Sequence, residues 1–237
     1  MPRSFLKWAG GKYNVADSLE NIIQNEPPFG ICWRVRQGER YHEPFLGSAS
    51  MYLHLCEKGI IESKKRAFLA DLNPILICTM DVVSKQDNLP SLLNKLSEFQ
   101  RLYPLDSPHP NPRGQSKEVR EKRLFYRIRK KMNNMAKNIS TLENQERIEL
   151  ASLAIFLNKT CYNGLWRMNS SGEFNTPEGD YYQPKNIMQE NILRACQKHL
   201  KKSVIRCSDW KNSLKKAKEG DLVYLDPPYM PLKLGDN

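Results

Sequence analysis

The sequence predicts an α/β fold, a parallel sheet interrupted by a mainly helical insertion, and three observations predict it. Residues 41–55 and 66–74 each read as strand, turn and helix. Between about Asp81 and Gln189 the pattern changes to charged helical periodicity. Strand signals return at 203–207 and 221–225, so the sheet resumes after the helices.

The elements follow in order. Tyr41-His42-Glu43-Pro44-Phe45 is a strand, Leu46-Gly47-Ser48-Ala49-Ser50 has the small residues of a tight turn, and Met51–Leu55 is helical. Arg66–Ala70 is a second strand ending at Asp71, and Asn73-Pro74 opens the next helix. This is a βαβ unit whose ligand crevice lies at the carboxyl ends of its strands. Leu89–Leu102, Glu118–Asn133 and Glu146–Leu157 are helices, the first two separated by the proline-rich Pro104–Pro112. Cys161–Tyr182, rich in Gly, Asn and aromatic residues, is a hairpin or an ordered loop. Ser203–Cys207 and Asp221–Leu225 are strands again, and the second delivers Asp226 to a strand end. The division that results is 1–73 with 188–237 for the sheet, and 74–187 for the insertion.

Composition narrows the function. The 237 residues are 40% hydrophobic and 27% charged, which suits a folded core and argues against disorder along the whole chain. No apolar run approaches the roughly 20 residues that a bilayer crossing needs. Met1–Lys7 is too short and polar for a signal peptide, so the chain reads as cytoplasmic with no membrane partner. Cys32, Cys56, Cys78, Cys161, Cys196 and Cys207 are scattered without a C-x-x-C pair, and neither a disulfide framework nor a metal site is expected. Lys and Arg exceed Asp and Glu by 37 to 26, a formal charge of +11 that suits a polyanion. Residues 113–137 alone hold ten basic side chains against Glu118 and Glu121. Such a run is either a solvated helix face or a phosphate-contacting one.

Asp226-Pro227-Pro228-Tyr229 is the sharpest chemical signal. Two successive prolines remove two backbone donors and stiffen the turn, leaving a carboxylate and carbonyls as acceptors. An aromatic amine has its lone pair delocalised into the ring, so it attacks only when acceptors on its N–H bonds hold it closer to tetrahedral. Asp226 and the Pro227 carbonyl could supply them, with Tyr229 as a stacking face for an extruded base. A plain strand-closing turn is the alternative. Asp71 is placed either to accept from ribose hydroxyls or to cap a helix. Gly47, Ser48 and Ala49 allow close approach of a cofactor or simply a close-packed turn. Lys7-Trp8-Ala9-Gly10-Gly11-Lys12 lacks the G-x-x-x-x-G-K-[ST] spacing and follows no strand, which excludes a phosphate loop.

Five blocks together resemble the Dam-type DNA adenine-N6 methyltransferases, in that family's order. They are K-W-A-G-G-K at 7–12, E-P-F-L-G-S-A-S at 43–50, A-D-L-N at 70–73, Y-N-G-L-W-R-M-N-S-S-G-E-F-N-T-P at 162–177 and D-P-P-Y-M-P-L at 226–232. The resemblance implies a Rossmann-like S-adenosylmethionine-dependent methyltransferase sheet carrying a helical DNA target-recognition domain. It implies a monomer that methylates N6 of a flipped adenine in double-stranded DNA, with GATC as the expected target. It assigns Trp8, Lys12, Phe45, Gly47, Asp71 and Asp226 to the cofactor. Asp209 joins them where the family often has Asp-Phe and this chain has Asp209-Trp210. Catalysis falls to Asp226, Pro227 and Tyr229. Lys7 would approach DNA, and Asn163, Leu165, Arg167 and Pro177 would contact bases, Arg by paired bonds to guanine and Leu against a thymine methyl. The alternative is that Tyr162, Leu165, Trp166 and Phe174 simply pack the hairpin, the reading favoured for Tyr162 and Phe174.

The family pattern continues past D-P-P-Y-x-P-L with further strands, so C-terminal strands are expected to be missing from these 237 residues. An inactive, truncated remnant that only binds DNA is therefore a second reading. Methylation of RNA or of a protein glutamine is a third, because Asn/Asp-Pro-Pro-Tyr turns recur across amino-methylating enzymes; the DNA-reading hairpin argues against it.

Overall fold

The computed structural model describes residues 4–8, 16–25, 40–61, 67–106, 116–179 and 186–228. Helix α1 (Ala16–Asn25), strand β1 (Tyr41–Glu43), helix α2 (Ser50–Glu57), strand β2 (Ala67–Asp71) and helix α3 (Pro74–Ser84) come first. Helices α4 (Leu89–Asp106), α5 (Lys117–Lys122), α6 (Leu124–Ala136) and α7 (Asn144–Thr160) follow. Helix α8 (Glu190–Leu200), strand β3 (Val204–Cys207), helix α9 (Trp210–Leu214) and strand β4 (Leu222–Val223) complete the order.

Among the described residues, four strands form one sheet in the order β3-β2-β1-β4, with every pair parallel. His42 is the pivot of the register, opposite Phe68 on one side and Val223 on the other. The chain steps outward from β1 through β2 to β3, then returns to the far side of β1 with β4. That reversal opens a crevice between β1 and β4 at their carboxyl ends. Strands β1 and β4 are shorter than the sequence suggests; at β1 Pro44 removes the next donor.

The helices bury the sheet on residues the sequence marks clearly. Asn73 caps α3, its Oδ1 accepting from the N–H groups of Ile75 and Leu76 at 3.1 Å each, and Pro74 follows in the first turn. Asp71 is therefore not the cap. Helix α3 packs against β2, β3, α7 and α8. Helix α7 is buried on all sides from Leu150 to Thr160, between α3, α4 and α6. One buried cluster runs from Leu69 in the sheet through Met80 and Phe156 to Phe125 in α6.

The expected helix 118–133 is broken at Arg123, whose ψ of 147° is extended. The cause is long-range. The buried Arg123 guanidinium donates to both oxygens of Glu178, Nε to Oε2 at 2.8 Å and Nη2 to Oε1 at 3.0 Å. A charge pair this buried is tolerable only with such bidentate geometry.

Strand β4 is short and at the sheet edge, and Asp221 holds it in place. Its carboxylate accepts from the backbone N–H of Arg40 at 2.9 Å and of Lys218 at 3.0 Å, and its Oδ2 lies 2.9 Å from Nε2 of the buried His42. His42 in turn stacks on Phe68, with ring centroids 4.9 Å apart. Burial pushes the Asp221 carboxyl up, but the Lys218 N–H, His42 and Arg40 outweigh it and hold it below the ordinary range. A carboxyl depressed on folding stabilises above its unfolded value and loses that contribution as pH falls through its folded one. Asp221→Ala should lower the unfolding free energy at pH 7 by about 1–3 kcal/mol, as read by urea titration. The difference from the parent should shrink below about pH 4.

Candidate functional site

A cavity of about 300 Å³ lies at the carboxyl ends of β1, β2 and β4, in the size range of small-molecule sites. Glu43, Pro44 and Phe45 come from the end of β1, Leu46, Gly47, Ser48, Ser50 and Met51 from the turn into α2, and Asp71 and Leu72 from the end of β2. Tyr224, Asp226 and Pro228 follow β4, Trp210 opens α9, and Trp8 closes the cavity from the N-terminal segment.

The turn at 46–49 is the cradle. Gly47 has φ +49°, and a Cβ there would stand 3.0 Å from Trp8 Cδ1, so only glycine allows both this backbone and the indole. Ala49 also has a left-handed backbone, φ 58°, at the head of α2. A buried alanine held there stores strain of about 1 kcal/mol. The turn is tied at three points. Asp71 Oδ2 accepts from the Gly47 N–H at 3.0 Å, Leu46 N–H donates to the Ala70 carbonyl at 2.9 Å, and Ser4 Oγ donates to the Ser48 carbonyl at 2.7 Å. Asp71 Oδ1 accepts from Asn73 N–H at 2.9 Å. Each oxygen keeps a second lone pair for a ligand hydroxyl.

Three acids line the cavity. Glu43 is fully buried, with the Tyr41 hydroxyl donating to its Oε2 at 2.7 Å. Burial pushes the Glu43 carboxyl up to about 8; the Tyr41 hydroxyl and the Tyr52 backbone N–H pull it back, and the Asp226 and Asp71 carboxylates add to the rise. Three acids and four aromatic residues (Trp8, Phe45, Trp210 and Tyr224) make a site suited to a cation bearing flat rings and hydroxyls.

The segment Tyr162–Gly179 folds as an irregular hairpin. Antiparallel bridges join Cys161 to Glu178 and Met168 to Phe174. Tyr162 N–H donates to the Pro177 carbonyl at 2.9 Å and Asn175 N–H to the Arg167 carbonyl at 3.0 Å. At the tip, Asn169 Oδ1 accepts from Ser171 and Glu173 N–H at 3.0 and 2.8 Å. Asn163, Leu165 and Arg167 are exposed on alternate residues, while Tyr162, Gly164 and Trp166 turn inward. Leu165 stays 42% exposed.

Cavity and hairpin meet at residues 4–8. Trp8 stacks on Trp166 with centroids 5.8 Å apart, and Trp166 leans on Phe174 at 4.7 Å. Gly164, φ +67°, lies so close over the Lys7 side chain that a Cβ there would meet Lys7 Cδ at 2.4 Å. The buried Asn158 fixes the main chain beneath, with Oδ1 accepting from Lys7 N–H at 2.7 Å and Nδ2 donating to the Lys7 carbonyl at 2.7 Å.

The fold thus gathers Trp8, Phe45, Gly47, Asp71 and Asp226 around one cavity, and Lys7, Asn163, Leu165 and Arg167 on the adjoining surface, with Pro177 half-buried on the facing strand. Pro227 is exposed beside Asp226. Asp209 does not line the cavity: it caps α9 by accepting from Asn212 N–H at 3.0 Å, and Trp210 reaches the rim instead. Lys12 and Tyr229 lie outside the described residues. So does Arg113 of the basic run, in which Arg123 is buried and Arg129 half-buried, while Lys137 pairs with Glu173 at 3.1 Å. Lys117, Lys122, Arg127 and Lys130 do face solvent. Glu43, on the cavity wall, and Asn158, which fixes Lys7, are positions to which the sequence assigns no role.

A family model described as D12 class N6 adenine-specific DNA methyltransferase matches residues 8–237. The chain is 33% identical over 231 residues to the Type II methyltransferase M.MjaIII of Methanocaldococcus jannaschii, covering 97% of this chain and 70% of that protein. It is 30% identical to the DNA adenine methylase of Serratia marcescens and 29% identical to that of Escherichia coli K12. These two alignments cover 99% of this chain and 70% and 68% of the relatives.

Asn158→Leu keeps the volume but leaves the Lys7 N–H and carbonyl without their partner. Stability should fall by about 2 kcal/mol or more. The Lys7 amide should lose protection in hydrogen exchange, whereas unchanged protection would show that the side chain does not hold the segment.

Proposed function

The chain belongs to the D12 class of N6 adenine-specific DNA methyltransferases, and from that premise we propose that it uses S-adenosylmethionine to methylate adenine in GATC within duplex DNA, the base being flipped out of the stack. The arrangement of Asp226 beside a cavity at the sheet's reversal point is the observation that carries this reading. S-adenosylmethionine, when bound, supplies an electrophilic methyl group on a sulfonium. Among the residues present, Asp71 and the Gly47 turn suit its ribose, Leu72 and Trp210 its purine, Trp8 and Phe45 its flank, and Glu43 its positive charge.

This chain's part in the reaction is then to hold the amine. The Asp226 carboxylate and the Pro227 carbonyl accept from the two N6 hydrogens, drawing the nitrogen toward tetrahedral and aiming its lone pair. Tyr229 stacks on the extruded ring. As the nitrogen gains a methyl it sheds one proton toward its acceptors. Lys12 joins the cofactor site, and Asp209 supports it by holding α9. Residues 74–187 serve as the target-recognition domain. Arg167 pairs with guanine, Leu165 meets a thymine methyl, Asn163 and Pro177 complete the reading face, and Lys7 approaches the duplex from the cavity side. The exposed lysines and arginines of α5 and α6 contact phosphates.

Labelled S-adenosylmethionine incubated with duplexes that contain or lack GATC tests this. Transfer only to the GATC duplex is expected, and equal transfer to both would sink the target assignment. Asp226→Ala should reduce transfer by about 10²-fold or more, the scale of losing a pre-organised polar contact, without changing duplex affinity.

Glu43 adds a pH signature. With its carboxyl raised to about 8, Glu43 is neutral below that value, so a cationic ligand must displace its proton to gain the full attraction. Cofactor affinity measured by calorimetry should therefore climb between pH 6 and pH 8 and level off above. Glu43→Gln should flatten that climb, and an unaltered profile in the variant would exclude Glu43 as its source.

A further inference from the structure

In a hairpin of this kind the second strand usually has either solvent or a third strand on its outer edge. Here that edge is held by side chains of a helix. Asn133 on α6 bonds both backbone groups of Phe174, with Nδ2 donating to the carbonyl at 3.0 Å and Oδ1 accepting from the N–H at 3.0 Å. This is what a neighbouring strand would do. One helical turn earlier, Arg129 Nη1 donates to the Thr176 carbonyl at 3.4 Å. At the head of the same helix, Arg123 holds the Glu178 carboxylate.

The three anchored residues are 174, 176 and 178, which alternate along the strand and are each no more than 2% exposed. The residues between them, Asn175 and Pro177, turn their backbone bonds to the other strand of the hairpin, toward Arg167 and Tyr162. Because side chains alternate faces, a slip of one residue would exchange the buried set for the outward one. The hairpin's own bonds, two isolated bridges, four backbone bonds and the side-chain bonds of Thr176 Oγ1 to the Leu165 carbonyl and of Arg167 Nε to Asn175 Oδ1, set one strand against the other but do not set the pair against α6.

We propose that α6 sets the register of the base-reading hairpin, and that Asn133 is the positioning residue on which sequence discrimination depends. The proposal rests on the reading of the Asn163–Pro177 hairpin as the element that contacts bases. Asn133 touches no base in this account. It keeps Phe174 in place, Phe174 supports Trp166, and the strand opposite carries Arg167 at the correct height.

The test uses the protein with a duplex library carrying a randomised four-base site, sequenced before and after capture by the protein. Asn133→Leu, similar in volume, should reduce the enrichment of the preferred site over its single-base variants roughly ten-fold, the worth of two hydrogen bonds. Affinity for the least preferred sites should stay unchanged, since phosphate contacts supply it. Asn133→Gln, which keeps the amide on a longer stem, should fall between parent and Leu. Loss of affinity for all sites alike would indicate a merely structural role and overturn the proposal, as would an unchanged enrichment. Should the Leu variant fail to fold, as judged by circular dichroism, Asn133→Gln decides: reduced enrichment supports the proposal and parental enrichment overturns it. Arg167→Ala separates the two levels. If it lowers enrichment while Asn133→Leu does not, only the role of Asn133 fails. If Arg167→Ala leaves enrichment intact, the hairpin is not the reader and the proposal falls with it.

Discussion

Everything around the site depends on where the chain lies between Ser4 and Trp8, and the amide of Asn158 decides that. It bonds the N–H and the carbonyl of Lys7 at 2.7 Å each, from inside a helix that is buried throughout this stretch. A polar side chain buried there would cost stability if unmatched; matched twice, it specifies one position for the segment. Ser4 and Gln189 add the Ser48 and Phe5 carbonyls to the same strap. With the strap fixed, Trp8 stands against Gly47 on one side and Trp166 on the other. Both glycines that touch the strap have positive φ and no room for a side chain. The cavity wall and the hairpin base are thus built on a single run of five residues.

The sheet contributes the other half of the geometry. Reversal of strand order at β1 and β4 brings Glu43 and Asp226 together at adjoining strand ends, while β2 delivers Asp71 beside them. Three carboxyl groups in one cavity repel, and burial of Glu43 resolves the repulsion by raising its carboxyl until it holds a proton at neutral pH. The short β4 could not hold its place by two ladder residues alone. Asp221 supplies the missing hold through Arg40, Lys218 and His42, before the chain reaches the turn that matters.

Local signals in the sequence were enough for the strands, the tight turn at Gly47, the cap at Asn73 and the separation of helices from sheet, since each rests on neighbours in the chain. Asn163, Leu165 and Arg167 were singled out by the resemblance and not by a local pattern, and the structure leaves all three exposed. Partners distant in sequence hid the rest. The break at Arg123 arises from Glu178, 55 residues away, and nothing near Arg123 marks it, so a single helix was the natural expectation. The basic run looked uniform because charge is counted along the chain, whereas folding turns Arg123 and Arg129 inward toward the hairpin. Asp209 is marked in the sequence through the resemblance alone; in the structure its carboxylate caps α9, a bond that an acidic residue just before a helix often makes. Asn158 is hidden in the same way as the break at Arg123, its partner Lys7 lying 151 residues away, whereas Glu43 bonds Tyr41 only two residues back and what the sequence does not show is its burial.

The aromatic stack Trp8–Trp166–Phe174 joins the two halves physically. On the proposed function, a cofactor in the cavity presses on Trp8 and a duplex presses on the hairpin that carries Trp166. Each ligand that orders the stack relieves the other of part of that ordering, which makes their binding mutually favourable and equal in both directions. The strength of that linkage is limited by how far the stack can move. With Asn158 holding the strap below and Asn133 holding Phe174 above, most of the order exists before either ligand arrives. The structure therefore favours a pre-organised site with modest coupling over one assembled by its substrates.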